Sequence, residues 1–327
     1  MEAEPIAVTR GFPFITNGTF MDFLAEILVL GLTVIGLWKG AGWVVEAASH
    51  IARKLGLSEL VIGLTVVAIG TSAPEFAVSI TAAIRGQADI SVGNVVGSNI
   101  FNLGFILGGV ALFGACATNR RMVLRDGGML LATGVLLVLF LFDEVLQWWE
   151  GAILAGLLLA YILFLFVQKQ PLEEDIPHGV FRWWDIPKIV IGIATIIISS
   201  HFLVEAASTI AEAAGVSQWL IGVTIVAIGT SMPELATSFI AVVKGHHGIS
   251  VGNLIGSDLF NLLGVLGLAA ILRPLHVTPD AYYNVVILAV FMLVVVILMR
   301  TGYRISRTEG IILLLLTSAR WYVNIVM

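Results

Sequence analysis

Two glutamates each directly follow a proline inside a strongly apolar stretch of the sequence. Glu75 lies in AIGTSAPEF, residues 68–76, and Glu234 lies in AIGTSMPEL, residues 227–235. A proline has no backbone N–H, so the carbonyl four residues earlier loses its helical hydrogen-bond partner. Freed carbonyls and nearby hydroxyls then become oxygen ligands beside each carboxylate. The hydroxyls in these two stretches belong to Thr71, Ser72, Thr230 and Ser231.

A second polar motif follows each glutamate. It reads SVGNVVGSNIFN at residues 91–102 and SVGNLIGSDLFN at residues 250–261. Its polar residues are spaced four apart, so they share one face of a helix. Glycines in the same motif allow close contact between helices. The polar positions are Asn94, Ser98 and Asn102 in the first copy and Asn253, Ser257 and Asn261 in the second.

The two motifs together offer carboxylates, hydroxyls, amide oxygens and bare carbonyls, without sulfur or imidazole ligands. Calcium takes about 6–8 such oxygens in adaptable geometry. An unpaired carboxylate at the membrane centre costs at least about 2.5–3.5 kcal/mol. One calcium ion, two sodium ions or two protons would each neutralise the pair. Such mutual exclusion at one site is the physical basis of antiport, because the empty, doubly negative site resists crossing.

The composition predicts a polytopic membrane protein, with both motifs carried by membrane helices. Hydrophobic residues make up 58% of the 327 residues and charged residues only 12%, against about 25% charged in soluble domains. Ten apolar segments are long enough to be considered as spans. They lie near residues 22–45, 59–84, 91–115, 127–142, 149–168, 185–212, 218–243, 249–272, 283–299 and 308–325.

Lysines and arginines predict the orientation of these segments. The loops after odd-numbered segments hold twelve of them and the opposite side holds three. Because basic residues favour the cytoplasmic side, we expect both termini outside the cytoplasm. The expected location is a membrane, and nothing in the sequence indicates a nucleic-acid partner or an oligomeric state.

The chain repeats itself with inverted topology. At a constant offset of 159, residues 61–108 match residues 220–267 at 27 of 48 positions. Five segments separate equivalent positions, and an odd number inverts the second copy, as in secondary transporters. The predicted fold class is therefore an all-α polytopic membrane protein with ten transmembrane helices in two inverted five-helix repeats. The first repeat is residues 1–168 and contains the motif at 63–108. The second repeat is residues 185–327 and contains the motif at 222–267. Residues 169–184 form a cytoplasmic linker between them.

These motifs resemble those of the sodium/calcium exchanger family, in particular its compact prokaryotic members. The resemblance implies exchange of Ca²⁺ for Na⁺ by alternating access at a midplane site, with these ions as cargo and no cofactor. It assigns calcium to Glu75, Glu234, Thr71 and Thr230, and a central position to Asn102 and Asn261. It assigns sodium to hydroxyls and carbonyls of Ala68, Ser72, Ser98, Ala227, Ser231 and Ser257. It also implies that the first and sixth segments slide across the other eight.

One position departs from the family. Some relatives carry an aspartate where this chain has Asn261. The nearest acid is Asp258, three residues earlier and about 60° round a helix of 3.6 residues per turn. We expect Asp258 to be structural, and the departure leaves the ratio of sodium to calcium open.

Four functions compete at this stage. Calcium/proton exchange is the alternative to calcium/sodium exchange, and pH dependence would separate the two. A passive cation channel would need no counter-ion. An intramembrane enzyme is disfavoured because the glutamates lack a nucleophile or a metal-binding histidine motif. For Glu75 and Glu234 the competing structural interpretation is a buried acid satisfied by a neighbouring helix.

Overall fold

The computed structural model describes residues 17–114, 116–168, 180–216, 225 and 227–326, and this part of the chain is almost entirely helical. The helices before the expected linker are α1 Asn17–Leu55, α2 Glu59–Thr71, α3 Ala73–Ile84, α4 Ala88–Phe113, α5 Arg120–Asp143 and α6 Trp148–Val167. Those after it are α7 Asp185–Ala213, α8 Ala227–Thr230, α9 Met232–Val243, α10 His247–Leu272, α11 Pro279–Arg300 and α12 Arg307–Val326.

Seven of the described helices are long and apolar enough to cross a membrane, namely α1, α4, α5, α6, α7, α10 and α11. The bent pair α2–α3 makes eight if it is one span. Helix α9 coincides with the second part of the expected seventh segment, most of whose beginning lies outside the described residues, and α12 coincides with the expected tenth. A polytopic helical membrane protein is confirmed.

Both proline-containing segments break where the sequence indicates. Helices α2 and α3 meet at 53°. Ser72 stands at the junction with φ −80° and ψ 10°, and Ser231 takes nearly the same angles, −88° and 6°, before α9. Each proline then occupies the first turn of the following helix, where a missing N–H costs nothing. The glutamates Glu75 and Glu234 therefore lie in the first turns of α3 and α9.

Helix α5 begins earlier than the sequence predicts. The expected segment starts at residue 127, whereas the helix starts at Arg120 and includes a π-helical turn, Val123–Gly127. The charges in that turn neutralise each other, because Arg125 Nε donates to Asp126 Oδ1 at 2.6 Å. The hydroxyl of Tyr161 on α6 donates to the same oxygen at 2.5 Å. Paired charges are therefore accommodated inside a helix that hydropathy alone would shorten.

The helix boundaries repeat at the same offset of 159 as the sequence. Helices α3 and α9 correspond residue for residue, and so do α4 and α10. The correspondence includes a π-helical turn in each of the latter, Phe101–Ile106 in α4 and Phe260–Val265 in α10. The backbone thus repeats with the sequence, down to a local irregularity.

The described residues also form four two-residue strands, whose positions repeat at the offset of 159. They are β1 Cys116–Ala117, β2 Val145–Leu146, β3 Leu275–His276 and β4 Arg304–Ile305. Strand β1 pairs antiparallel with β4, and β2 pairs antiparallel with β3. The offset converts β1 into β3 and β2 into β4, so one pairing is the image of the other. Each pairing joins the first half of the chain to the second.

Helices α1 and α7 pack against each other with their backbones in contact. A Cβ added at Gly40 would lie 2.9 Å from the carbonyl oxygen of Gly192, and one at Gly192 would lie 3.0 Å from that of Gly40. Lys188 Nζ adds an ion pair with Glu46 Oε1 at 2.8 Å. The face of α1 toward the other helices buries several small residues, including Ala47 and Ala48. A larger core of leucine, valine and isoleucine holds most of the remaining helices together.

Candidate functional site

The two helix breaks meet inside the protein, and each supplies a hydroxyl to the glutamate of the other. Ser72 Oγ donates to Glu234 Oε1 at 2.9 Å, and Ser231 Oγ donates to Glu75 Oε1 at 3.1 Å. Both glutamates are fully buried, with 0% of their surface exposed. The cross-connection holds two carboxylates close together away from bulk water. Neither half of the chain could build this arrangement alone.

The threonines before the breaks join the same network. Thr71 Oγ1 donates to Asn253 Oδ1 at 3.1 Å and lies 3.5 Å from Ser257 Oγ. The Thr71 hydroxyl also interacts with Glu234, and the Thr230 hydroxyl interacts with Glu75. The structure therefore brings the predicted threonines to the predicted glutamates.

The two predicted alanines belong to the short helices before the breaks. The Ala68 carbonyl accepts hydrogen bonds from the Ser72 N–H at 3.0 Å and from Thr71 Oγ1 at 3.3 Å. Ala227 begins α8, and its side chain lies outside the described residues. A carbonyl oxygen has two lone pairs, and rotation of the Thr71 hydroxyl would free one of those of Ala68 for an ion.

Asn94 and Asn253 each bind the helix that carries a glutamate, at the glutamate main-chain carbonyl and at a serine side chain. Asn94 Nδ2 donates to Ser79 Oγ at 2.9 Å and to the Glu75 carbonyl at 3.4 Å. Asn253 Nδ2 makes the same two contacts, to Ser238 Oγ at 3.0 Å and to the Glu234 carbonyl at 3.5 Å. These amides fix the first turn of the helix that carries each carboxylate. The sequence pattern did not single out the two serines that complete the contact.

Ser98 and Ser257 occupy equivalent positions but make different hydrogen bonds. Ser257 Oγ donates to Glu234 Oε1 at 3.3 Å. Ser98 Oγ instead donates to the carbonyls of its own helix, at Asn94 and Val95, at 2.9 and 3.1 Å. The second serine thus contacts a carboxylate directly, whereas the first turns its proton toward its own backbone.

A cluster of amides and one acid lies where α4 crosses α10. Asn102 Nδ2 donates to Asp258 Oδ1 at 3.0 Å, and Asn261 Nδ2 donates to Asn99 Oδ1 at 3.1 Å. All four side chains are fully buried. Asn99 and Asp258 were not among the predicted site residues. The signal that could have found them is the offset itself, since each stands beside a predicted serine and is the other's equivalent.

Among the described residues of the glutamate pair and of the amide cluster, five acceptor oxygens have no hydrogen-bond donor. They are Glu75 Oε2, Glu234 Oε2, Asn102 Oδ1, Asn261 Oδ1 and Asp258 Oδ2. A buried acceptor without a partner is costly, so such atoms require a compensating group. Five together, three of them carboxylate oxygens, match the ligand chemistry of a hard cation. Within the described part of the chain, no three His, Cys, Asp or Glu side chains form a metal cluster.

An oxygen-lined centre between two broken helices, inside a bundle of apolar helices, is typical of membrane transporters of the secondary active class. The sodium/calcium exchanger protein family matches this chain over residues 25–167 and 186–318. The chain therefore belongs to the sodium/calcium exchanger family, as its motifs predicted.

Individual relatives agree with this assignment. CaxA of Alkalimonas amylolytica, proposed to be an antiporter, is 39% identical over 306 residues, covering 89% of this chain and 96% of CaxA. The sodium/calcium exchanger MaX1 of Methanosarcina acetivorans is 35% identical and covers 89% of this chain and 95% of its own. The structure of the sodium-calcium exchanger NCX_Mj superposes with a TM-score of 0.81 at 28% identity, covering 91% of this chain and 98% of that one. These relatives are exchangers and not enzymes, and the family's ions are cargo, so no cofactor is indicated.

Proposed function

We propose that this protein exchanges Ca²⁺ for Na⁺ across a membrane by alternating access at the buried centre. The observation that carries the proposal is the pair of donor-free carboxylate oxygens, Glu75 Oε2 and Glu234 Oε2, at the point where the two broken helices exchange hydroxyls. Calcium binds Glu75 and Glu234 together with oxygens of Thr71 and Thr230. One Ca²⁺ or two Na⁺ neutralise the paired glutamates, so the two ions compete for one site.

Sodium uses the oxygens that surround this pair. The proposed ligands come from Ser72, Ser231, Ser98, Ser257, Ala68 and Ala227, with Asn102 and Asn261 between the glutamates. The direct hydrogen bonds from Ser72, Ser231 and Ser257 to the carboxylates support their inclusion. When a cation arrives, these hydroxyls can rotate and offer lone pairs in place of protons.

The proposed architecture is ten membrane spans in two inverted repeats, residues 1–168 and 185–327, joined by a linker at 169–184. Helix boundaries that repeat at an offset of 159 and the two equivalent strand pairings support it. Ten spans place both termini on the same side of the membrane, and the distribution of Lys and Arg predicts that this side is outside the cytoplasm of a prokaryotic cell. The glycine contact between α1 and α7 supports these two helices as the pair that slides across the others.

The test is radioactive calcium uptake into proteoliposomes loaded with sodium. Controls have equal sodium on both sides, or a proton gradient without a sodium gradient. We expect uptake only with the outward sodium gradient. Uptake driven by protons alone would make the protein a calcium/proton exchanger, and uptake independent of any gradient would contradict antiport.

A further inference from the structure

Asp258 is the point at which the two halves of the site differ in charge. The offset of 159 places it opposite Asn99, and the flanking glycine and serine are identical in the two halves. Asp258 is nevertheless as deeply buried as the two glutamates, with 0% exposed. A buried acid at this position is therefore a specific difference in an otherwise repeated framework.

The contacts of Asp258 leave one of its oxygens free. Its Oδ1 accepts a hydrogen bond from Asn102 Nδ2 at 3.0 Å, and its main-chain carbonyl accepts one from Asn99 Nδ2 at 3.1 Å. Its Oδ2 has no donor, and neither do the nearby amide oxygens of Asn102 and Asn261. Three acceptor oxygens from three residues thus remain available in the amide cluster at the crossing of α4 and α10.

Buried acids that serve structure in this protein are satisfied differently. Asp126 has both oxygens paired, Oδ1 with Arg125 and Tyr161 and Oδ2 with Arg125 at 2.9 Å. Glu59 receives the Ser49 hydroxyl at 2.9 Å and lies 2.6 Å from His246 Nδ1. Among the described carboxylates, those with a buried donor-free oxygen are Glu75, Glu234 and Asp258. Asp258 therefore groups with the site acids and not with the structural ones.

We infer that Asp258 is a third cation-ligating carboxylate, which forms with Asn102 and Asn261 a subsite for a monovalent cation beside the two glutamates. The inference rests on the proposed function. It adds a third acid to the two glutamates, at a position three residues before Asn261 on the same helix.

The third carboxylate determines the charge moved in each cycle. Three Na⁺ neutralise three carboxylates, whereas one Ca²⁺ neutralises the two glutamates and leaves Asp258 with the hydrogen bond that Asn102 donates to it. Exchange would then carry one net positive charge in the direction of sodium. With two carboxylates, two Na⁺ and one Ca²⁺ are equivalent and exchange is electroneutral. Asp258 thus decides whether the membrane potential acts on transport.

The experiment compares wild-type protein with Asp258→Asn in sodium-loaded proteoliposomes whose membrane potential is clamped by a potassium gradient and valinomycin. In wild-type protein, an interior-positive potential should accelerate calcium uptake and an interior-negative one should slow it, because net positive charge leaves. In Asp258→Asn the potential should have no effect. Asp280→Asn, the same change at an exposed position at the start of α11, should behave as wild type.

Two further measurements distinguish a ligand role for Asp258 from a structural one. Asn99→Asp combined with Asp258→Asn moves the acid to its equivalent position and should restore the response to potential. Displacement of bound radioactive calcium by sodium, measured on purified protein, should be less steep in Asp258→Asn, with one sodium ion fewer in the Hill slope. An unchanged slope and an unchanged response to potential would overturn the role of Asp258.

Failure of the proposed function gives a different result. Wild-type protein would then show no sodium-driven uptake, while a shallower displacement curve in Asp258→Asn would still support the subsite. If the wild-type protein bound no calcium, both the proposed function and the subsite at Asp258 would be contradicted. A structural role for Asp258 predicts lower thermal stability in both Asp258→Asn and the double variant, with no recovery of the response to potential.

Discussion

The two halves of the site share a framework and differ in how they use it. Both halves place a glutamate after a proline and support it with an asparagine and a serine behind it. Only the second half adds a buried aspartate and turns its central serine toward a carboxylate. The repeat therefore positions the chemistry, whereas single side chains decide how charge and hydrogen bonds are distributed. A repeated backbone thus carries an asymmetric set of polar side chains.

The largest expected effect comes from removing either glutamate charge. Glu75→Gln and Glu234→Gln should each reduce sodium-driven calcium uptake by about 100-fold, equivalent to about 2.8 kcal/mol. The reason is that both carboxylates are fully buried and both are proposed calcium ligands. Initial uptake rates at fixed protein density provide the measurement. A variant that keeps transport intact would show that one half alone holds the ion.

Replacing equivalent glycines in the two halves should lower the thermal stability of the protein by different amounts. A Cβ at Gly256 would lie 2.6 Å from the backbone of Leu64, whereas no described atom lies within 4 Å of one at Gly97. Overpacking costs about 1–3 kcal/mol, so Gly256→Ala should lower the thermal unfolding midpoint in detergent. Gly97→Ala, at the equivalent position, is the matched control and should change it little. Equal losses would mean that the two helices are packed alike.

The central serines should differ in their effect on ion affinity. Ser257→Ala removes a hydroxyl that contacts Glu234 and should weaken calcium binding by about 5–10-fold, since such a hydrogen bond contributes about 1–1.5 kcal/mol. Ser98→Ala removes a hydroxyl bonded to its own helix and should change affinity by less than about twofold. Half-saturating calcium concentrations in the exchange assay decide this. The reverse ranking would contradict the hydrogen-bond assignment.

The smallest expected difference is between Ser72→Ala and Ser231→Ala. Each serine donates one hydrogen bond to the glutamate of the other half, at 2.9 and 3.1 Å. Both variants should weaken calcium binding, by amounts that agree within about twofold, because both lose one charge-assisted hydrogen bond. Calcium titration of the two purified variants is the measurement. If the two losses of calcium affinity differed markedly, the two halves would be equivalent in their backbone but not in how their serines act on the glutamates.

The sequence predicted the helical class, the helix breaks and the family because these depend on composition and on a repeated motif. Proline has no N–H wherever it stands, so the breaks before α3 and α9 could be placed to the residue. The extra turns of α5 could not be predicted, since they depend on Arg125 and Asp126 neutralising each other in three dimensions. The number of spans and the roles of the site residues stay predictions.

The spacing of residues along a single helix could not predict all of the candidate site. Spacing of four along one helix selected Asn94, Ser98 and Asn102 and passed over Asn99. In the structure, Asn99 contacts Asn261 of the other half, and Asp258 contacts Asn102 in the same way. Which faces of two crossing helices meet is decided by their packing, and no spacing rule within one helix contains that information.

The two strand pairings have a consequence for biogenesis. Every described strand pairs with a strand of the opposite half, and β1 pairs with β4 immediately before the final helix. A nascent chain that has inserted its first five helices still has two unpaired strands and a glutamate without Ser231. The candidate site is therefore complete only once the chain has been synthesised beyond Asn261, and the β1–β4 pairing only once it has passed Ile305.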